Sequence, residues 1–164
     1  MSTDDAFRID GLSHAGITVS DMERSLVFYR DGLGLEVYID RIADHDYLRE
    51  VTAVPSSEVR IVYVRVPGSR TPLEFLEHRG IERVPARTRP CDPGSVHVGL
   101  QVADIDSFHA RLEALGFRSR SGHPVDITAG PFAGARTCFF TDPDGFLVEL
   151  QQPPAGKPDA FLSR

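Results

Sequence analysis

The chain is poor in cysteine, in long apolar runs and in positive charge, and each shortage removes a class of function. Cys91 and Cys138 are its two cysteines. They show neither a CxxC spacing nor the set of pairs from which a disulfide framework is built. No stretch approaches the ~20 apolar residues of a membrane span. The opening "MSTDDAFRID" lacks the basic start and apolar core of a secretory leader. Acidic residues outnumber basic ones by 24 to 18, and the formal net charge of −6 disfavours nucleic acid and anionic membranes as partners. The basic residues that cluster, Arg79, Arg83, Arg87 and Arg89, lie beside prolines in what reads as a solvated connector. The expectation is a protein of a reducing cytoplasm whose partner is a small molecule.

What is present is enough apolar material for a packed core, 41% of the 164 residues, and a pattern that occurs twice. "SHAGITVSDMERSLVFY", from Ser13, aligns with "VHVGLQVADIDSFHARL", from Val96. His14 then falls on His97, Gly16 on Gly99, Val19 on Val102 and Asp21 on Asp104. Each copy reads as a His-x-Gly strand running into an acidic helix start. In the first, Ser20 is expected as N-cap with Glu23 reaching back, and Met22, Leu26, Tyr29 and Leu33 form one helical face. Strands are expected at about 35–41, 59–66 and 73–77, with a helical turn in "DHDYLREVTAVPSSE". The second copy repeats the order: strand 96–102, helix 104–115, strands near 117–120, 135–140 and 146–151. The fold class is therefore α+β, built from two paired βαβββ modules. The expected boundaries are an extension over 1–11, modules over 12–78 and 95–152, a Pro/Arg-rich linker over 79–94 and a tail over 153–164.

Strand alternation sorts the polar residues. Ala15, Ile17 and Val19 are expected to face the helix, which leaves His14, Gly16 and Thr18 on the other side. Val96, Val98, Leu100 and Val102 do the same for His97, Gly99 and Gln101. In "LEFLEH" Glu74 opposes the core-facing Leu73 and Phe75, and in "FLVELQ" Glu149 opposes Phe146, Val148 and Leu150. A carboxylate in a largely apolar strand is costly unless it is paired, protonated or bound to a cation. If the two modules curl their sheets around a shared cleft, His14, Glu74, His97 and Glu149 can converge. Two imidazoles and two carboxylates suit one divalent ion such as Zn, Ni, Co, Mn or Fe. His45, His78, His109 and His123 follow no repeated spacing, although alternation puts His78 on the Glu74 face. Tyr47, Leu48 and Val51, with the loop "GHPVDITAGPFAGAR", are candidates for the rim.

"HAGITVSDMERSLVFYRDGLGLEV", "VHVGLQVADIDSFHARLEALGF" and "FTDPDGFLVEL" resemble the vicinal oxygen chelate superfamily. It includes glyoxalase I, methylmalonyl-CoA epimerase, extradiol dioxygenases, and fosfomycin- and bleomycin-resistance proteins. The resemblance runs from about Leu12 to Gln152. It implies paired βαβββ modules forming a curved mixed sheet around a metal cleft, with His14, Glu74, His97 and Glu149 as the ligands. It also implies a substrate that chelates the metal through oxygen, an enolate or oxyanion stabilised by the metal, and Glu74 and Glu149 as groups that move a proton next to a carbonyl. A homodimer is implied as well.

Departures from the branches narrow the activity. Thr18 stands where glyoxalase I commonly has a glutathione-binding arginine, and His78 where it has an asparagine, which argues against a glutathione adduct. "AVPSSEVRIV" puts Ser56 after the proline where some epimerases carry a catalytic glutamate, with Glu58 two residues on. "TDPDG" replaces their "HPKS". A two-histidine, one-carboxylate iron site, as in extradiol dioxygenases, would leave Glu74 as an extra ligand. The expectation is a metal-dependent isomerase, epimerase or lyase. An Fe(II) dioxygenase and a metal-free drug-sequestering protein stand as the alternatives.

Overall fold

The computed structural model describes residues 7–86 and 89–162. Arg87 of the connector lies outside them. Chain order is β1 (Ala15–Thr18), α1 (Met22–Leu26, continued by a π-helical stretch Val27–Gly32), β2 (Glu36–Ala43), α2 (Asp46–Thr52), β3 (Glu58–Arg65) and β4 (Leu73–Arg79). The second half has β5 (His97–Gln101), α3 (Ile105–Ala114), β6 (Val125–Asp126), β7 (Arg136–Thr141) and β8 (Leu147–Gln152).

The repeat in the sequence is a repeat in topology. One four-stranded sheet has the order β1-β4-β3-β2 and the other β5-β8-β7-β6. In each, the first and last strands of the half pair in parallel and the remaining pairs are antiparallel. The chain is thus α+β with two mixed sheets. The described residues gather into two compact units. One takes the chain through Val19 with Leu35–Ile81, and the other takes Ser20–Gly34 with the chain from Glu82 onward.

Three local expectations are corrected. The N-cap of α1 is Asp21, whose Oδ1 accepts from the Arg24 amide at 3.1 Å. Ser20 is drawn away by a stronger acceptor: its amide and hydroxyl donate to the Asp144 carboxylate at 2.7 and 2.5 Å. Residues 117–120 form no strand; Ser119 makes an isolated bridge to Phe140, and the fourth strand of that sheet is β6. The hydroxyl of Ser119 bonds His109 Nε2 at 2.9 Å, and Gly116 and Gly122 on either side take φ +91 and +75. Val96, expected inside, is 69% exposed because β5 begins only at His97.

The stripe Met22, Leu26, Tyr29 and Leu33 is buried as expected, and the widened turn buries Phe28 too. The Leu33 amide reaches five residues back to the Phe28 carbonyl, the wider spacing of a π-helical turn. Within the second unit α1 lies close on α3. A Cβ at Gly32 would come 2.6 Å from Leu112 Cδ2, and the Phe28 and Phe117 rings meet edge to face at 4.8 Å. Phe28 and Leu112 are fully buried, and each contributes about 1.5–3 kcal/mol. In the first unit Ala43, Val59 and Ile61 form a buried cluster with Leu48, Tyr63 and Leu76 packed against it. Among the described residues no helix is long and apolar enough to cross a membrane.

Candidate functional site

The His-x-Gly repeat has a physical reason in the sheets. Gly16 stands directly opposite Glu74 across β1 and β4, and Gly99 directly opposite Glu149 across β5 and β8. The histidine two residues earlier shares the face of its glycine. With hydrogen in place of a side chain at the glycine, the glutamate can lean across the neighbouring strand towards the imidazole. His14 Nε2 lies 3.2 Å from Glu74 Oε2, and His97 Nε2 lies 3.5 Å from Glu149 Oε2. A Cβ at Gly16 would touch Glu74 Oε2 at 3.6 Å, and one at Gly99 would come 3.9 Å from Glu149 Oε2.

Each glutamate therefore has one oxygen turned to a histidine, and a hydroxyl on the next strand holds the other. The Tyr63 phenol donates to Glu74 Oε1 at 2.5 Å, and the Thr137 hydroxyl lies 2.7 Å from Glu149 Oε1. Tyr63 and Phe139 occupy equivalent positions, each paired directly with the glutamate. Their rings meet the two imidazoles edge-on, at 6.1 and 5.3 Å. Burial, and then the Glu74 carboxylate, push the Tyr63 phenol up to about 12, so it remains a proton donor at neutral pH. The carboxylates are 13% and 14% exposed while the imidazoles are 41% and 50% exposed. The carboxyl groups sit in the sheet and the imidazoles are the more exposed partners.

The donor chemistry fits a divalent cation. Two ligands each ~2.1 Å from one ion lie roughly 3.0–3.4 Å apart, close to the separation found in both pairs. The outer carboxylate oxygens are already engaged by hydroxyls, the kind of support that orients metal ligands. Among the described residues neither unit gathers three His, Cys, Asp or Glu side chains suited to a metal. Each pair offers two donors, and a four-donor set needs both.

Three other histidines have their own partners. His78 is on the Glu74 face, with Nδ1 3.2 Å from the buried Ser56 hydroxyl. His45 stacks on Tyr47, and His109 is buried against Ser119. Of the rim candidates, Leu48 packs on the Ala43–Val59–Ile61 cluster while Tyr47 and Val51 are exposed. Sequence reasoning missed Tyr63 and Thr137, although alternation along "IVYVR" puts Tyr63 on the Glu74 face.

A β-α-β-β-β unit made twice, each with a His–Glu pair at the same strand positions, agrees with a family profile that matches residues 11–150. The chain belongs to the Glyoxalase/Bleomycin resistance protein/Dioxygenase superfamily. Among characterised relatives, a 2-epi-5-epi-valiolone epimerase from an Actinomyces species is 31% identical over 148 residues, covering 88% of this chain and 80% of that protein. Two solved structures bear out the fold. A glyoxalase family protein from Bacillus cereus has a TM-score of 0.75 at 18% identity, covering 90% of this chain and 97% of its own. The fosfomycin resistance protein FosX from Listeria monocytogenes, complexed with Mn(II) and sulfate, has 0.60 at 18%, covering 90% and 96%.

Proposed function

We propose that this chain is a divalent-metal-dependent epimerase of a small polyoxygenated ketone. In this reading His14, Glu74, His97 and Glu149 together hold one ion. The observation that carries it is the equivalence of the two His–Glu pairs, each with its second carboxylate oxygen tied back. The epimerase relative and the Mn(II) in the FosX structure support it. When bound, such an ion takes up negative charge that develops on a substrate carbonyl oxygen. A carbon beside that carbonyl inverts when its proton leaves from one face and returns to the other. Glu74 and Glu149 are the groups that exchange this proton. Each half-open imidazole leaves its own pair accessible to a substrate. The same reading takes the protein as a cytoplasmic homodimer, supported by its two unpaired cysteines and by Tyr38, Ile39 and Ile42, exposed along the edge strand β2.

Metal content is the first test, on wild type, Glu74→Ala and Glu149→Ala. About one ion per chain is expected, bound roughly 10–100-fold more weakly in both variants. Two ions per chain, each removed by one substitution only, would show that the pairs act separately. No binding under any loading would point to a ligand-sequestering protein. With metal bound, 2-epi-5-epi-valiolone in D2O is expected to gain deuterium at the carbon that inverts. Metal-loaded protein that neither inverts nor exchanges it would rule out this substrate.

A further expectation concerns Gly16. Gly16→Ala places a methyl group at ordinary contact distance from Glu74 and is expected to leave metal affinity nearly unchanged. Gly16→Val fills the space the carboxylate leans across and is expected to weaken binding by about 10-fold or more. Calorimetric titration of the metal-free proteins would show whether the two variants separate.

A further inference from the structure

Glu74 and Glu149 are equivalent in the repeat, but the hydroxyls behind them are not. The Tyr63 phenol has one proton and one acceptor, Glu74 Oε1. The Thr137 hydroxyl also has one proton, yet it lies within reach of two acceptors, Glu149 Oε1 at 2.7 Å and the Leu150 carbonyl at 3.2 Å. The tyrosine ring is itself confined. It meets His14 edge-on, lies 6.0 Å from Tyr38, and packs against the Ala43–Val59–Ile61 cluster. Tyr38 is in turn covered by the Arg65 guanidinium at 4.4 Å from its ring centroid.

We propose that Tyr63 is a positioning residue that locks the Glu74 side chain, through a hydrogen bond it shares with no other acceptor, in the rotamer that presents Oε2 to His14. Glu74 is then the stationary carboxylate of the two, and Thr137 holds Glu149 less firmly. Nothing in the repeat requires this difference, because the position equivalent to Tyr63 holds Phe139, which has no hydroxyl. The role bears on activity through the metal site proposed above and rests on that reading there. The lock itself is a property of the first unit alone.

Tyr63→Phe removes the oxygen and keeps the ring, so the packing around it is retained. The metal-free variant is expected to bind Mn(II) about 10–100-fold more weakly than wild type, with its melting temperature little changed. Thr137→Val is expected to weaken binding by no more than a few-fold. In a double-mutant cycle, Tyr63→Phe should add almost nothing to Glu74→Ala, which leaves no carboxylate for the phenol to hold, while keeping its full effect beside Glu149→Ala. A full additional loss on top of Glu74→Ala would overturn the proposal, because the tyrosine would then act by another route. A crystal structure of metal-free Tyr63→Phe separates this result from the fate of the metal site. Glu74 turned away from His14 supports the lock even in a protein that binds no ion, and Glu74 unmoved refutes it.

Discussion

Glu149→Gln and Glu74→Gln are each expected to lower kcat for epimerisation by about 10²–10⁴-fold, the range general acid–base groups contribute, with a smaller change in KM. The amide is close in size and shape to the carboxylate. In either variant its oxygen can still accept the bond from Thr137 or Tyr63 that Oε1 accepts now. What it loses is the ability to take up a proton, the charge that favours a cation beside it and, since an NH2 group then stands where Oε2 faces the histidine, one metal ligand, so kcat is compared at saturating metal. Measuring solvent deuterium exchange alongside inversion separates the two proton transfers. A variant that still washes deuterium into the substrate but no longer inverts it has kept one transfer and lost the other. Both variants turning over at the wild-type rate, with metal bound, would remove the glutamates from the chemistry and leave them as ligands only.

Much of this arrangement was legible in the chain because the chain states it twice. A histidine, a glycine two residues on and a glutamate on the last strand recur at matching places, and period-2 alternation puts each set on one face. The helix starts were legible for the same reason, since Asp21 and Asp104 align and both prove to be N-caps. What the repeat could not show is where the two halves solve one problem differently. The hydroxyl behind Glu74 comes from Tyr63, directly across the strand pair. The one behind Glu149 comes from Thr137, which is in register with Gln151. Aligning the halves sets Tyr63 on Phe139 and conceals both hydroxyls. Ser20 failed as a cap for a long-range reason, because its partner Asp144 is 124 residues away. The missing strand over 117–120 is likewise a tertiary effect, with Ser119 tied to His109 of α3.

Asp142 is the other residue whose importance lies outside local pattern, and its removal is expected to have the largest effect on stability. In sequence it reads as the first residue of a tight turn, and Gly145 at φ +91 confirms the turn. In the fold it is 4% exposed and accepts three hydrogen bonds. Two come from the Asp144 and Phe146 amides, at 2.9 and 2.8 Å, and one from the Tyr29 phenol of α1 at 3.1 Å. Asp142→Ala removes the acceptor of the Asp144 and Phe146 amides and one bond of the Tyr29 phenol, and at 1–3 kcal/mol for each amide left unpaired, moderated by water reaching the turn, the expected loss is about 3 kcal/mol. For a chain of this size that lowers the melting temperature by roughly 6–12 °C. Asp142→Asn retains an acceptor for the amides and should lose far less.

The two substitutions also differ in pH dependence. Burial raises the Asp142 carboxyl above its ordinary range, and the nearby Asp144 charge adds to this, outweighing the hydrogen bonds that oppose it. A carboxyl raised on folding stabilises the fold fully below its unfolded value of about 3.9 and loses that contribution as pH rises through the folded value. The stability of wild type relative to Asp142→Asn is therefore expected to fall as pH is raised from 4 towards neutrality. Urea unfolding of both proteins across that range measures the difference directly. A flat difference would mean that burial and the hydrogen bonds cancel, whereas one that grows with pH would mean that the hydrogen bonds govern this carboxylate and that the turn holds α1 through an anion that folding favours.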